Sequence, residues 1–179
     1  MFSTGVYCFS GEAFYMKVGL VMGSDSDLPV MRGALEICEE FGVDCEVLLA
    51  SAHRTPEAVK EFAEGAADRG IGCIIAGAGM AAHLAGIVAA FTTLPVIGVP
   101  LEGGSFKGMD ALLATVQMPT GVPVATVAVN GAKNGALLAL QILAVSDRSL
   151  AAKYKKYREN MTEQIIAKNA ALQKQLQHA

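Results

Sequence analysis

Lys17-Val18-Gly19-Leu20-Val21-Met22-Gly23-Ser24-Asp25-Ser26-Asp27 is an apolar run that stops in a small polar turn, and Leu28–Phe41 then carries apolar residues at helical spacing. An apolar run without strict alternation is what a parallel strand covered on both faces looks like. The unit recurs. Apolar, β-branched runs occupy Lys17–Met22, Val43–Leu49, Ile71–Ala76, Leu94–Val99 and Val122–Val129, so that one begins every 23–28 residues. Helical segments fall between them at Leu28–Phe41, Pro56–Asp68, Ala82–Phe91 and Met109–Val116, the second expected to start at a Thr55 N-cap with proline in the first position. The spacing predicts an α/β fold: a three-layer α/β/α sandwich on a five-stranded parallel sheet with right-handed crossovers, in a flavodoxin-like strand order.

Two helices follow the sheet. Ala132–Ala144 is almost wholly apolar and is expected to be buried on every side. Ser146–Leu176 is longer, with Leu150, Tyr154, Tyr157, Met161, Ile165, Leu172 and Leu176 on one stripe. With the sheet already complete, that stripe is expected to need another surface, a neighbouring subunit. Composition agrees: 53% of the 179 residues are hydrophobic and 19 more are glycine. That is more apolar side chain than one small globule encloses, so part of it is expected in subunit interfaces of a homo-oligomer.

Residues 1–15, MFSTGVYCFSGEAFY, have no cationic start, no continuous apolar stretch and no cleavage signal, and read as a loose N-terminal extension before a single domain over 16–179. The charge-free stretch Gly70–Leu101 is long enough to span a membrane, but its six glycines, two prolines and one histidine fit strand, turn, helix and strand instead. A net charge of −3 without a long basic run before the last helix argues against nucleic acid. Cys8, Cys38, Cys45 and Cys73 form no C-x-x-C pair and read as reduced cysteines of a cytoplasmic protein.

In an open parallel sheet, ligands bind beyond the carboxyl ends of the strands, so the loops there carry the chemistry. Gly23–Asp27 offers close backbone approach, the Ser24 and Ser26 hydroxyls and a helix N-terminus, a setting for phosphate, with Asp27 better suited to sugar hydroxyls. The same residues would also make an ordinary helix cap. Ser51-Ala52-His53-Arg54-Thr55 adds a guanidinium fork for phosphate, a hydroxyl at Ser51, and in His53 either a proton carrier or a surface histidine. Gly77–Gly86 contains G-x-G-x-x-A after the third run rather than the first, with Ile97 where a dinucleotide site needs an acid. Its small residues, Gly79 among them, suit a backbone closing over a flat ligand, beside His83 and Leu84. Glu102–Gly108 has lid-like glycine content, and a ligand contact for Lys107 stays open. Three histidines, one of them penultimate, and no carboxylate–histidine cluster make a metal site unexpected.

GSDSD at 23–27, SAHRTP at 51–56, AGAGMAAHLAG at 76–86 and QMPTGVPVATVAV at 117–129 resemble, in order and spacing, the class I PurE enzymes, the 5-(carboxyamino)imidazole ribonucleotide mutases of purine biosynthesis. The resemblance covers the chain from about Lys17 into the C-terminal helix. It implies an octamer of flavodoxin-like subunits that moves a carboxylate from the exocyclic amine to the ring carbon of an aminoimidazole ribonucleotide, without cofactor or metal. By motif, His53 matches the family's acid/base. Ser24, Asp27 and Arg54 match its substrate-binding positions, with Ser26 and Ser51 beside them, and His83 matches the second histidine of the site. Met80 stands where the family usually has glycine and Ala85 where it usually has proline. A related class carboxylates aminoimidazole ribonucleotide with free CO₂ and typically carries lysine at the Arg54 position; a non-catalytic nucleotide-binding module is the other alternative.

Overall fold

β1 is Lys17–Met22, and its neighbours on either side are β2 (Cys45–Leu49) and β3 (Ile71–Gly79). The structure, a computed structural model, describes residues 16–177; the expected extension over 1–15 and His178 lie outside the described residues. β4 (Val96–Leu101) and β5 (Ala125–Thr126) complete a five-stranded parallel sheet in the order β2-β1-β3-β4-β5. This is the flavodoxin-like order, with the switch point between β1 and β3.

Side chains alternate across each strand, so the apolar runs feed two cores. Val18, Leu20, Cys73, Ile75, Ile97 and Val99 face one layer, formed by α1 (Leu28–Phe41), α5 (Ala132–Ala144) and the start of α6 (Arg148–Gln177). Val21, Ile71, Ile74, Ala76 and Val96 face the other, formed by α2 (Pro56–Glu64) and α3 (Leu84–Ala90). α4 (Met109–Val116) lies beside β4 and ties Thr115, the one buried polar side chain in the described core, to Ala111 O at 2.7 Å. The three described cysteines are free, Cys38 and Cys73 buried and Cys45 half-buried, and burial pushes the Cys73 thiol up to about 12.

Several expectations are corrected. β5 is two residues rather than Val122–Val129, because the flanking chain leaves the β4 ladder. β3 runs on to Gly79, pairing it with Leu101, so Gly77–Gly79 belong to a strand and not to the following turn. α2 ends at Glu64, and a separate 3-10 turn covers Ala67–Arg69. The Thr55 side chain caps nothing in α2; it closes the preceding turn instead. α5 is not buried all round, since Lys133, Asn134 and Gln141 face outward. The first half of the α6 stripe covers its own subunit: Leu150 is buried, Tyr154 and Tyr157 stack against Phe41 at 6.0 and 5.4 Å, and Lys153 Nζ donates to Phe41 O at 2.8 Å. Met161, Ile165, Leu172 and Leu176, further along, are exposed.

Gly98 shows how tightly the α4 layer sits. A Cβ there would overlap Thr115 Cγ2 and lie 3.0 Å from Val124 Cγ1 and 3.3 Å from Ala85 Cβ. Thr115 is buried and its Oγ1 donates to Ala111 O, so turning the methyl aside would break that bond inside the core. Gly98→Ala is expected to destabilise by about 1–3 kcal/mol in urea denaturation, and adding Thr115→Ser, which deletes that methyl, should recover most of the loss.

Candidate active site

Because all five strands are parallel, the loops after β1, β2, β3 and β4 emerge on the same edge and enclose an open cavity of 630 Å³. Ser24, Ser26, Asp27, Ser51, His53, Arg54, Gly79, His83 and Leu84 all line it, so the structure brings together every site residue expected from sequence. Glu102 and Gly103, from the loop read as lid-like but not named as site residues, form its wall at the end of β4. Their signals were the glycine content of that loop and its position, since every strand end of an open sheet is a candidate. Lys107 is exposed and does not line the cavity.

The first loop is pre-set by its own hydrogen bonds. Ser24 is extended and caps the 3-10 turn Asp25–Asp27: its Oγ accepts from Ser26 N–H at 3.3 Å, and Asp27 Oδ2 accepts from Ser24 N–H at 2.9 Å. Ser26 Oγ donates to Ser24 Oγ at 2.9 Å, which holds the two hydroxyls side by side. The cap and this part of the cavity lining are therefore one object. Burial raises the Asp27 carboxyl above its ordinary 3.8, outweighing the lowering effect of the Ser24 and Gly23 N–H groups.

The second loop is built the same way. Thr55 Oγ1 accepts from Ser51 N–H at 2.9 Å and donates to Ser51 O at 3.2 Å, while Ser51 Oγ accepts from His53 N–H at 3.4 Å and Arg54 N–H at 3.3 Å. This turn throws His53 and Arg54 out over the strand ends. Arg54 Nη2 reaches across to donate to Gly23 O at 3.1 Å, fixing the guanidinium above the first loop with its other donors free for an anion.

His53 Nε2 lies 2.9 Å from His83 Nδ1, with the rings edge-on at 81°. A single hydrogen bond between two imidazoles needs one donor and one acceptor, so one of these two nitrogens carries the proton and the other accepts it. His83 is placed by the tight turn after β3, where Ala82 N–H donates to Met80 O and His83 N–H to Ala81 O. Met80 stands in that turn at φ 55, a conformation free to glycine and costing other residues about 1–2 kcal/mol. Ala85 is the second residue of α3, where the N–H has no partner within the helix, so a proline there would break no helical hydrogen bond.

Among the described residues, no group of three or more His, Cys, Asp or Glu side chains could hold a metal ion, and no helix is long and apolar enough to cross a membrane.

The strand ends of a flavodoxin-like α/β sheet thus gather paired serines, an arginine and a histidine couple around one cavity. The sequence pattern of the family described as AIR carboxylase matches residues 17–164. The chain is 54% identical over 157 residues to the N5-carboxyaminoimidazole ribonucleotide mutase of Thermotoga maritima, covering 88% of this chain and 92% of the relative. It is 58% identical over 145 residues to the enzyme of that name from Pyrococcus abyssi, covering 81% and 83%. A crystal structure of Treponema denticola PurE superposes with a TM-score of 0.78 at 32% identity, covering 87% of this chain and 97% of that one. The chain belongs to the AIR carboxylase family.

Proposed function

We propose that this chain is an N5-carboxyaminoimidazole ribonucleotide mutase of purine biosynthesis, acting in the cytoplasm, that moves the carboxylate from the exocyclic nitrogen to the ring carbon of an aminoimidazole ribonucleotide. The observation that carries the reading is the His53–His83 hydrogen bond set in a cavity whose other end presents Ser24, Ser26 and Arg54 to a phosphate. The names of the relatives, at 52–58% identity, support it.

The chemistry follows from the residues. Phosphate sits on Ser24, Ser26 and Arg54, with Ser51 holding the turn beneath, and Asp27 accepts from a ribose hydroxyl. Gly79 and Leu84 border the flat imidazole. His53 donates a proton to the carbamate nitrogen; the N–C bond breaks and CO₂ is released inside the pocket. The electron-rich ring carbon then attacks CO₂, and the proton it sheds returns to His53, so the cycle consumes neither acid nor base. Nothing in this sequence is oxidised or reduced, and we propose no cofactor or metal. Confinement is the larger contribution: holding CO₂ beside its acceptor carbon is worth up to roughly 7–11 kcal/mol over free encounter.

An octamer is part of the proposal. Met109, Leu113 and Val116 are exposed at spacings of four and three along α4, with Phe106 exposed just before it, Val47 and Leu49 are exposed on the edge strand β2, and the outer half of α6 adds a third apolar surface. Faces of this kind are normally covered by copies of the same chain.

The test supplies purified protein with N5-carboxyaminoimidazole ribonucleotide, or with aminoimidazole ribonucleotide and bicarbonate, and follows product by absorbance, with light scattering on the same sample. Rapid conversion of the first substrate alone, by a particle of eight chain masses, is expected. Conversion of only the second would make the protein a carboxylase, the activity in its family's description. Conversion of neither would leave a nucleotide-binding module.

A further inference from the structure

β5 pairs only with Ile97 and Gly98, so the last three residues of β4 have no strand on that side, although they lead straight into the cavity wall. The β5–α5 connection replaces the missing ladder: Val127 N–H donates to Gly98 O at 3.1 Å and Asn130 N–H to Pro100 O at 2.9 Å. Asn130 stands at φ 59, in the left-handed region that asparagine enters more readily than most residues. There its side chain clasps Glu102 twice: Oδ1 accepts from Glu102 N–H at 2.9 Å and Nδ2 donates to Glu102 Oε2 at 3.3 Å. Beyond this anchor the chain turns through left-handed Gly104 (φ 60), Lys107 (φ 48) and Gly108 (φ 87). Met80 lies against the same segment, its Cγ 3.9 Å from where a Cβ on Gly103 would stand and 3.7 Å from one on Gly104. Asn130 itself does not line the cavity.

We propose that Asn130 is a positioning residue: by holding Glu102 it fixes the β4-side wall that keeps CO₂ in the pocket between decarboxylation and recarboxylation. This rests on the mutase reading above. The wall does nothing for the first half-reaction, in which the carbamate N–C bond breaks and the nitrogen gains a proton. It matters to the second, in which CO₂ must meet the ring carbon before it escapes. A loosened wall therefore shows as leakage, with aminoimidazole ribonucleotide and CO₂ released in place of carboxylated product.

The experiment measures both products from N5-carboxyaminoimidazole ribonucleotide after rapid quenching. Asn130→Gly keeps the backbone conformation and removes both side-chain bonds; the ratio of released aminoimidazole ribonucleotide to product is expected to rise at least about fivefold, the shift that losing one net hydrogen bond's free energy produces, with KM within about threefold. Asn130→Asp sets a carboxylate against Glu102 and should leak as well, whereas Asn130→Asp with Glu102→Gln, which restores a donor–acceptor pair, should return to the wild-type ratio. A purely structural role would lower Tm and total turnover without moving the ratio or giving this rescue. A wild-type ratio in either folded single variant overturns the inference alone. A wild-type enzyme that does not convert the substrate overturns the mutase reading instead.

Discussion

His53→Asn is expected to lower kcat on N5-carboxyaminoimidazole ribonucleotide by about 10²–10⁴ while the dissociation constant for aminoimidazole ribonucleotide changes by less than about threefold. The imidazole is exposed, and its recorded side-chain hydrogen bond goes to His83 at 2.9 Å. The turn beneath it is held by Ser51 and Thr55, whose bonds run to backbone groups that asparagine keeps. The substitution therefore leaves the scaffold and the phosphate end intact and removes only a group able to take up and return a proton. His83→Ala should cost less, because it frees the His53 ring without removing the proton carrier. The double variant should be no slower than His53→Asn alone, since an orienting partner has nothing left to orient. Isothermal titration gives the binding arm and stopped-flow absorbance the turnover arm. Turnover near wild type in His53→Asn would leave the histidine pair without its assigned role.

The layered fold was legible in the sequence because it depends on something local and repeated: Val18, Leu20 and Val21 fall in one short run yet feed opposite cores, and only a strand covered on both faces does that. Less legible were features set by distant partners. Thr55 has the right identity and place for an N-cap, but its hydroxyl finds both groups it needs on Ser51, four residues back, and the turn wins over the helix end. β5 reads as a mostly apolar run of eight residues, yet pairing depends on the path of β4, and after Gly98 the β4 acceptor at Pro100 is met by Asn130 instead. Tyr154 and Tyr157 could not be told from the remainder of their stripe, because the difference between covered and exposed is Phe41 on another helix. In the site, residues clustered in one loop could be read, whereas pairings across loops could not: His83 appeared as a residue without a fixed partner, and nothing near Glu102 in sequence points to Asn130.

Arg54→Ala should act on the other axis, raising KM by roughly 10–150-fold with kcat changed far less, the range that corresponds to losing a charge-assisted hydrogen bond to phosphate. Arg54 is the one permanently cationic side chain among the cavity-lining residues, which also include two carboxylates, Asp27 and Glu102. Without it, a phosphate dianion meets Ser24 and Ser26 hydroxyls in a field of net negative sign, and the serines cannot offset that alone. Arg54→Lys should recover only part of the affinity. An ammonium is a point charge, and reaching the phosphate means giving up Gly23 O, which Arg54 holds at 3.1 Å with one arm of a planar fork while the other donors stay free. Because Ser26 and Arg54, at the phosphate end, are exposed to water, the wild-type KM should climb with salt, and the climb should flatten in Arg54→Ala as the screened attraction disappears. Steady-state kinetics at two ionic strengths separate the outcomes. An unchanged KM at low salt would put the phosphate elsewhere, whereas a collapse of kcat with KM unchanged would move Arg54 from holding the ligand to the chemical step that His53 is assigned.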